Sequence, residues 1–365
     1  MAVRAPASGL THAAPVRDRA RLSLVVLRRG WLIYVGACAL LVGSATLAIL
    51  IGPADLSVGT VFSELASKLF GIHTHVSSLD AGIVWQIRAP RVVLAAIVGA
   101  TLAIAGASYQ GVFQNPLADP YLLGVAAGAG LGATLAIVFV NDPMAWAVNP
   151  VPLCAFVGAL VAVAATYILG RTGGRARTTT TLILAGVAIG SFFTSVQTFV
   201  QQKNAQTLES VYSWIFGGLV TASWQEVLLV LPYVAVCCAV LISCRRLLDV
   251  MAVGDDEADT LGVRASRVRL VVVITSTLAT AAVVAVSGLV GFVGIIIPHT
   301  IRLVVGPSYR RILPLSVVVG ASFLILADLV ARTALAPAEV PLGVVTAFVG
   351  APFFLLVLRQ SRRSA

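Results

Sequence analysis

Apolar side chains dominate ten stretches of the chain, near 31–51, 92–112, 122–140, 151–169, 181–200, 225–243, 271–287, 289–305, 312–331 and 340–358. Each is close to the 20 or so residues that a helix needs to cross a hydrocarbon core of roughly 30 Å. The seventh and eighth come from one uncharged run, 270–301, of 32 residues. That run is long for one helix and tight for two, and Ser287-Gly288 supplies the turn between them. The pattern therefore predicts an all-α, polytopic membrane protein with ten transmembrane helices.

Positive charge supports that count. With ten spans and a cytoplasmic N-terminus, the cations left outside are Lys68, Arg88, Arg91, Lys203 and Arg332, and 20 of the 25 basic residues lie inside. Merging the seventh and eighth helices would move Arg310, Arg311 and the basic tail outside, against the positive-inside bias. Both termini are thus expected in the cytoplasm, and the protein in the cell (inner or cytoplasmic) membrane. Residues 1–30 read as a disordered cytoplasmic tail, 31–358 as the ten-helix membrane domain and 359–365 as a basic cytoplasmic tail. The 21-residue apolar segment after the tail is too long for a signal-peptide core, so it reads as an uncleaved first span.

Composition agrees. Charged residues make up 11% of the chain, apolar residues 59%, and the mean hydropathy is +0.98, which excludes a water-soluble protein of this length. The net charge of +10 is mostly topology and gives no reason to expect nucleic acid as a partner. Membrane lipid is the expected surroundings. Cys38, Cys154, Cys237, Cys238 and Cys244 lie in or beside apolar runs without metal-ligand spacing, and read as small core hydrophobes.

The chemistry-bearing residues narrow the function. Ion-coupled carriers bury acids at mid-membrane. Here Asp328 stands near the end of the ninth span, four residues before Arg332, and Glu226 stands at the start of the sixth. Asp328 and Arg332 read as an ion pair on one helix face. A nucleotide-binding loop needs Gly-Lys-Ser/Thr, and the two lysines, Lys68 and Lys203, are not preceded by glycine. The chain is therefore expected to be no enzyme, and to bind no cofactor or metal of its own. Any ATP and Mg belong to a separate partner chain. His73 and His75 form a His-Thr-His pair that lacks a third ligand and reads as ordinary loop. Glycines inside spans, at Gly124 and Gly128, Gly186 and Gly190, and Gly288, Gly291 and Gly294, permit close helix packing or a pore lined by backbone.

Two cytoplasmic loops stand out. One is the doubly Pro-broken turn Gln114-Asn-Pro-Leu-Ala-Asp-Pro-Tyr121. The other runs from Asp249 to Val263. In it Gly254 precedes an acidic first turn of Asp255, Asp256 and Glu257, then Ala258, and Leu261-Gly262 ends a short helix. Acids at a helix start suit its dipole, and such a helix suits partner docking.

Several motifs carry a family resemblance: Trp85-Gln-Ile-Arg-Ala-Pro-Arg91, Gly106-Ala-Ser-Tyr-Gln-Gly111, Asn115-Pro-Leu-Ala-Asp-Pro120, Leu182-Ile-Leu-Ala-Gly186, Glu257-Ala-Asp-Thr-Leu-Gly262, Gly291-Phe-Val-Gly-Ile-Ile-Ile-Pro-His299 with Arg302, and Glu339-Val-Pro-Leu-Gly343 before Gly350-Ala-Pro-Phe353. Over about 85–358 they resemble, in order, the FecCD-type permeases, membrane subunits of type II ABC importers for ferric siderophores, haem and cobalamin. The resemblance implies a second permease subunit (identical or a paralogue), two copies of a cytoplasmic ATP-binding subunit and an extracytoplasmic substrate-binding protein. It implies that 250–263, with Gly254, Asp255, Asp256, Glu257, Ala258, Leu261 and Gly262, couples to the ATPase. It implies a cytoplasmic gate of Asn115 and Leu117 with Thr179 and Thr180, although the run Thr178 to Thr181 leaves the register open and these hydroxyls also suit a helix cap. It implies that Arg88, Arg91 and Arg332 dock the binding protein. Arg88 and Arg91 flank a proline at a helix start, which also suits headgroup anchoring. Ser210 to Ser223 corresponds to a short outer helix. Ferric siderophore leads as cargo, with cobalamin close behind and haem third. A self-contained secondary carrier is the competing class.

Overall fold

The computed structural model describes residues 16–54, 56–71, 76–140, 149–171 and 179–361. Among them the chain is helical with no β-sheet. Helix α1 (Val16–Leu50) is followed by α2 (Val58–Phe70) and α3 (Ser78–Gly82). The last passes through a π-helical turn, Ile83–Arg88, into α4 (Ala89–Val112). Then come α5 (Val125–Phe139), α6 (Pro150–Arg171), α7 (Thr179–Lys203), α8 (Leu208–Ile215), α9 (Trp224–Ser243), α10 (Arg245–Met251), α11 (Asp255–Thr260), α12 (Ala265–Ser287), α13 (Val293–Val305), α14 (Tyr309–Thr333) and α15 (Leu342–Ser361).

Each of the ten predicted stretches is a helix. Seven are long and apolar enough to cross a membrane, while α5, α13 and the apolar part of α15, Leu342–Val357, are shorter. The short ones begin inside the bundle, after irregular backbone that finds its hydrogen bonds within the protein. The Tyr121 hydroxyl donates to the Val290 carbonyl at 3.1 Å and accepts from the Val290 amide at 3.2 Å. Gly218 N donates to Ser287 O, Leu342 N to Gly217 O and Gly343 N to Phe216 O, at 2.9 to 3.0 Å. Non-helical backbone survives at membrane depth only when it is satisfied this way. The predicted turn at Ser287-Gly288 is there. Gly288 has φ +64°, and a Cβ on it would lie 2.1 Å from the Trp214 carbonyl.

Close backbone approach holds the central helices. A Cβ on Gly106 of α4 would sit 2.1 Å from the Gly294 carbonyl of α13, and one on Gly128 of α5 would sit 2.3 Å from the Gly158 carbonyl of α6. Without a hydrophobic drive between helices in lipid, small residues bring van der Waals surfaces together. Packing is thus what these two glycines do.

Two boundaries differ from expectation. Helix α1 begins at Val16 rather than Trp31, so of the tail read over 1–30, residues 16–30 continue the first helix and 1–15 lie outside the described residues. Helix α12 begins at Ala265 rather than 271, because its end is anchored across the loop. Asp259 Oδ1 accepts from Ala265 N at 3.2 Å, and Arg269 pairs with Asp255 at 2.5 Å. Of the basic tail 359–365, the last four residues lie outside the described residues, as do His73 and His75.

Candidate translocation path and partner surfaces

One end of the bundle gathers the C-termini of α1 and α14 and the N-termini of α4 and α15. Pro90 has no N–H to return to the preceding turn, and the π-helical stretch before it leaves the Trp85 carbonyl free. Trp224 at the start of α9 donates its indole N–H to that carbonyl at 2.7 Å, and Trp85 donates its own to Glu64 at 3.1 Å. The entry of α4 is thereby fixed, and with it two arginines.

Arg91 meets Asp328 at 2.9 Å and Glu339 at 2.8 Å, each through paired nitrogens and oxygens. Such bidentate, charge-assisted bonds are the strong kind. Arg88 donates to the carbonyls of Ile49, Leu50 and Ala54. Arg332 donates to the Ala48 carbonyl, and the expected pair with Asp328 exists at 3.7 Å. All three arginines are buried. Their setting departs from the sequence reading, which placed the three outside as docking cations and paired only Arg332, with Asp328. The partners are long-range, supplied by α14 and the segment before α15. Glu339 is the most open member of the cluster, with 27% of its side chain exposed.

At the opposite end, α10 and α11 form a compact platform. Gly254, at φ +138°, opens α11, and a Cβ there would strike the Glu257 carboxylate at 2.1 Å. Asp255 is tied to Arg269, while Asp256 and Glu257 are exposed and Ala258 is buried. Gly262, at φ +81°, ends the turn. Leu261 stands 66% exposed beside Val253, an apolar tip on an otherwise polar loop. Asp249 accepts from Ser308 Oγ at 2.9 Å and from Tyr309 N at 2.5 Å, which caps α14 and fixes the platform to it. Of the predicted coupling residues, Asp256, Glu257, Leu261 and Gly262 are exposed, Gly254 and Asp255 are half-buried and Ala258 is buried.

The same platform reaches the Pro-broken loop. Gln114, a non-glycine residue at φ +50°, donates from Nε2 to the Met251 carbonyl at 2.8 Å. Asn115 Oδ1 accepts from Leu117 N at 2.9 Å and shapes that loop, and Leu117 is exposed. Thr180 is exposed at the start of α7. The Thr179 side chain lies outside what is described, and no described contact joins the Asn115 loop to Thr180. Gln114 was missed by sequence reasoning, since its bond spans 137 positions and leaves no local signal.

The third surface was also missed, although its signal is local. On α7, Ser191, Thr194, Ser195, Thr198 and Gln202 are exposed and fall on one stripe at helical spacing, which Leu184 and Val187 continue as apolar positions, with Phe192 and Phe199 exposed beside it. Ser195 and Thr198 bond back to the carbonyls of Ser191 and Thr194, at 2.8 and 2.9 Å, so each hydroxyl is satisfied yet leaves a polar face. A lipid-facing helix gains nothing from such a stripe, whereas a wet path does. Among the described residues no group of three metal-binding side chains occurs.

Comparison with known proteins agrees with this arrangement. A profile of the FecCD transport family matches residues 40–360. The cobalamin import system permease protein BtuC of Halobacterium salinarum is 41% identical over 278 residues, 76% of this chain and 73% of that protein. The uncharacterized ABC transporter permease YvrB of Bacillus subtilis is 38% identical over 90% of this chain and 94% of its own length. The iron(3+)-hydroxamate import system permease FhuB of the same organism is 35% identical over 90% and 83%. An inward-facing solved structure described as a metal-chelate type ABC transporter superposes with a TM-score of 0.78 at 30% identity, over 90% of this chain and 99% of that one.

Proposed function

Because this chain belongs to the FecCD transport family, an ABC importer permease and multi-pass membrane protein, we propose that it carries a metal chelate inward across the cell membrane, in ten spans with both termini cytoplasmic. The observation that carries the reading is α7, a 25-residue helix whose exposed face carries hydroxyl and amide groups among apolar ones and no acid. Such a surface lets a large, internally satisfied chelate slide without binding it tightly, and it offers no site for ion coupling. A second subunit facing α7 and the exposed apolar face of α15 closes the path.

Energy enters from two copies of an ATP-binding partner at the α11 platform. Leu261 and Val253 seat in a groove of the ATPase, and Gln114 passes the displacement of Met251 to Asn115 and Leu117, which gate the path with Thr179 and Thr180. At the other end a substrate-binding protein docks over the arginine cluster. Arg91 receives an acidic group of that protein by exchange with Glu339, while Arg88 and Arg332 hold the mouth in shape.

Relatives that import cobalamin and hydroxamate iron both resemble this chain. The higher identity of the cobalamin permease gives a corrin the same standing as the ferric siderophore favoured by the sequence. The test is uptake into proteoliposomes carrying the full complex, with radiolabelled cobalamin and ferric hydroxamate compared side by side. ATP-dependent accumulation of either chelate supports the reading, and its loss on omitting the ATPase is required. Accumulation without the ATPase would overturn it in favour of a secondary carrier.

A further inference from the structure

At the end of the bundle that carries α8, a cavity of about 250 Å³ opens between α6, α8, α9 and the end of α12. Its lining mixes apolar side chains with six polar ones, Asn149, Ser210, Ser213, Thr221, Ser287 and Glu226. A second cavity of about 270 Å³ adjoins it, with Pro152, Ala285 and Val286 common to both, and continues along Phe156, Leu229 and Tyr233. This second space is apolar. From Glu226 to Tyr233 it descends along about 10 Å of α9, at 1.5 Å per residue. Leu153, Leu229 and Tyr233 on its rim are exposed, so it opens sideways from the bundle, away from the α7 stripe.

Glu226 is the feature that the transport reading leaves unused. It closes a capping box at the start of α9: Glu226 N donates to Ser223 Oγ at 3.4 Å, and the Ser223 backbone N–H and the Thr221 hydroxyl reach its carboxylate, while Oε2 is buried with no hydrogen-bond partner. Among the described residues no lysine or arginine lines either cavity. The first turn of α9 favours an acid, yet its second oxygen is left buried and unsatisfied, and a cation beside it supplies what that oxygen lacks. The surroundings offer a small chamber with one negative charge above an apolar groove of acyl-chain width. We propose that this is a binding site for an aminophospholipid of the leaflet on the α8 side, its ammonium paired with Glu226 and one acyl chain laid in the α6–α9–α12 groove. The lipid would wedge the start of α9 against α12, next to the Gly217 and Gly288 backbone that shapes the centre of the bundle.

Native mass spectrometry of the full-length protein, titrated with phosphatidylethanolamine and phosphatidylglycerol of identical acyl chains, tests this. Phosphatidylethanolamine is expected to bind at least fivefold more tightly. Glu226→Gln should bring the two lipids to parity while leaving phosphatidylglycerol unchanged. Leu229→Trp, at an exposed rim position that tolerates bulk, should weaken both. Equal binding of the two lipids by the wild type would overturn the headgroup assignment, and a preference that survives Glu226→Gln would overturn the role of the carboxylate. Binding indifferent to Leu229→Trp would remove the lipid from this groove. None of these outcomes depends on the cargo or on the ATPase, so the transport reading stands or falls separately.

Discussion

Helices α4 and α7 are similarly apolar and differ in almost every contact. The most apolar 18-residue stretch within the continuous helix Ser78–Val112, which ends in α4, has a mean hydropathy of 2.0, and that within Thr180–Lys203 of α7 has 1.7. Yet 89% of the apolar stretch is buried in the first and 17% in the second. One is the axle of the subunit, packed against α12, α13 and α14 on all sides. The other is a wall waiting for what lies opposite. Hydropathy reports that a segment enters the membrane, and only packing tells whether it meets protein, lipid or a path.

The contrast can be broken most violently at glycines. Gly106→Val on α4 drives a side chain into the Gly294 carbonyl and should abolish folded protein, because backbone on both sides cannot yield. Overpacking even against side chains costs about 1–3 kcal/mol. Gly190→Val on α7, where the nearest atom to a new Cβ is 4.0 Å away, should leave yield and monodispersity in detergent unchanged. Equal losses in the two variants would erase the distinction between axle and wall.

Next in size is the arginine cluster at the head of α4. Arg91→Ala leaves Asp328 buried without its main partner, a change that costs about 3–5 kcal/mol. Its melting temperature should fall clearly, whereas Ser195→Ala on α7 should stay within about 0.5 kcal/mol of wild type and change transport rate instead. A thermal scan of both variants against uptake by both separates a clamp from a path.

Smaller effects on stability sharpen the picture at the coupling end. Leu261→Asp replaces a side chain that is 66% exposed, so the subunit should fold normally and fail to stimulate the partner's ATP hydrolysis. Gln114→Leu removes the bond to Met251 and should raise the ATP consumed per chelate moved, with assembly intact. The smallest effect concerns acid. The hydrogen bond from Arg91 holds the Glu339 carboxyl below its ordinary range. A carboxylate lowered in the folded state adds stability above its unfolded pKa, about 4.3, and loses it as pH falls through the folded value. Stability should therefore be flat around pH 7 and decline below about pH 4, less steeply in Glu339→Gln.

Much of this was legible from the chain, for identifiable reasons. The ten apolar stretches, the Ser287-Gly288 break and the acid-capped helix after Gly254 depend on neighbouring residues, and local pattern carries them. The partners of Arg91 lie more than 200 positions away, so no local spacing revealed that this cation is internally paired. The same holds for Gln114 and Met251. The α7 stripe is a different case. Ser191, Ser195, Thr198 and Gln202 recur at helical spacing, but satisfied hydroxyls are common in packed membrane helices, and only their exposure distinguishes a path from a contact.

Cysteine scanning along α7, in a chain whose five native cysteines are replaced, tests the central claim most directly. A water-soluble thiol reagent should modify Ser195→Cys and Gln202→Cys in the assembled complex, with protection when the transported chelate occupies the path, while Val236→Cys on the exposed apolar face of α9 stays inert. If Ser195→Cys and Gln202→Cys are as unreactive as Val236→Cys in every nucleotide state, α7 does not line the path.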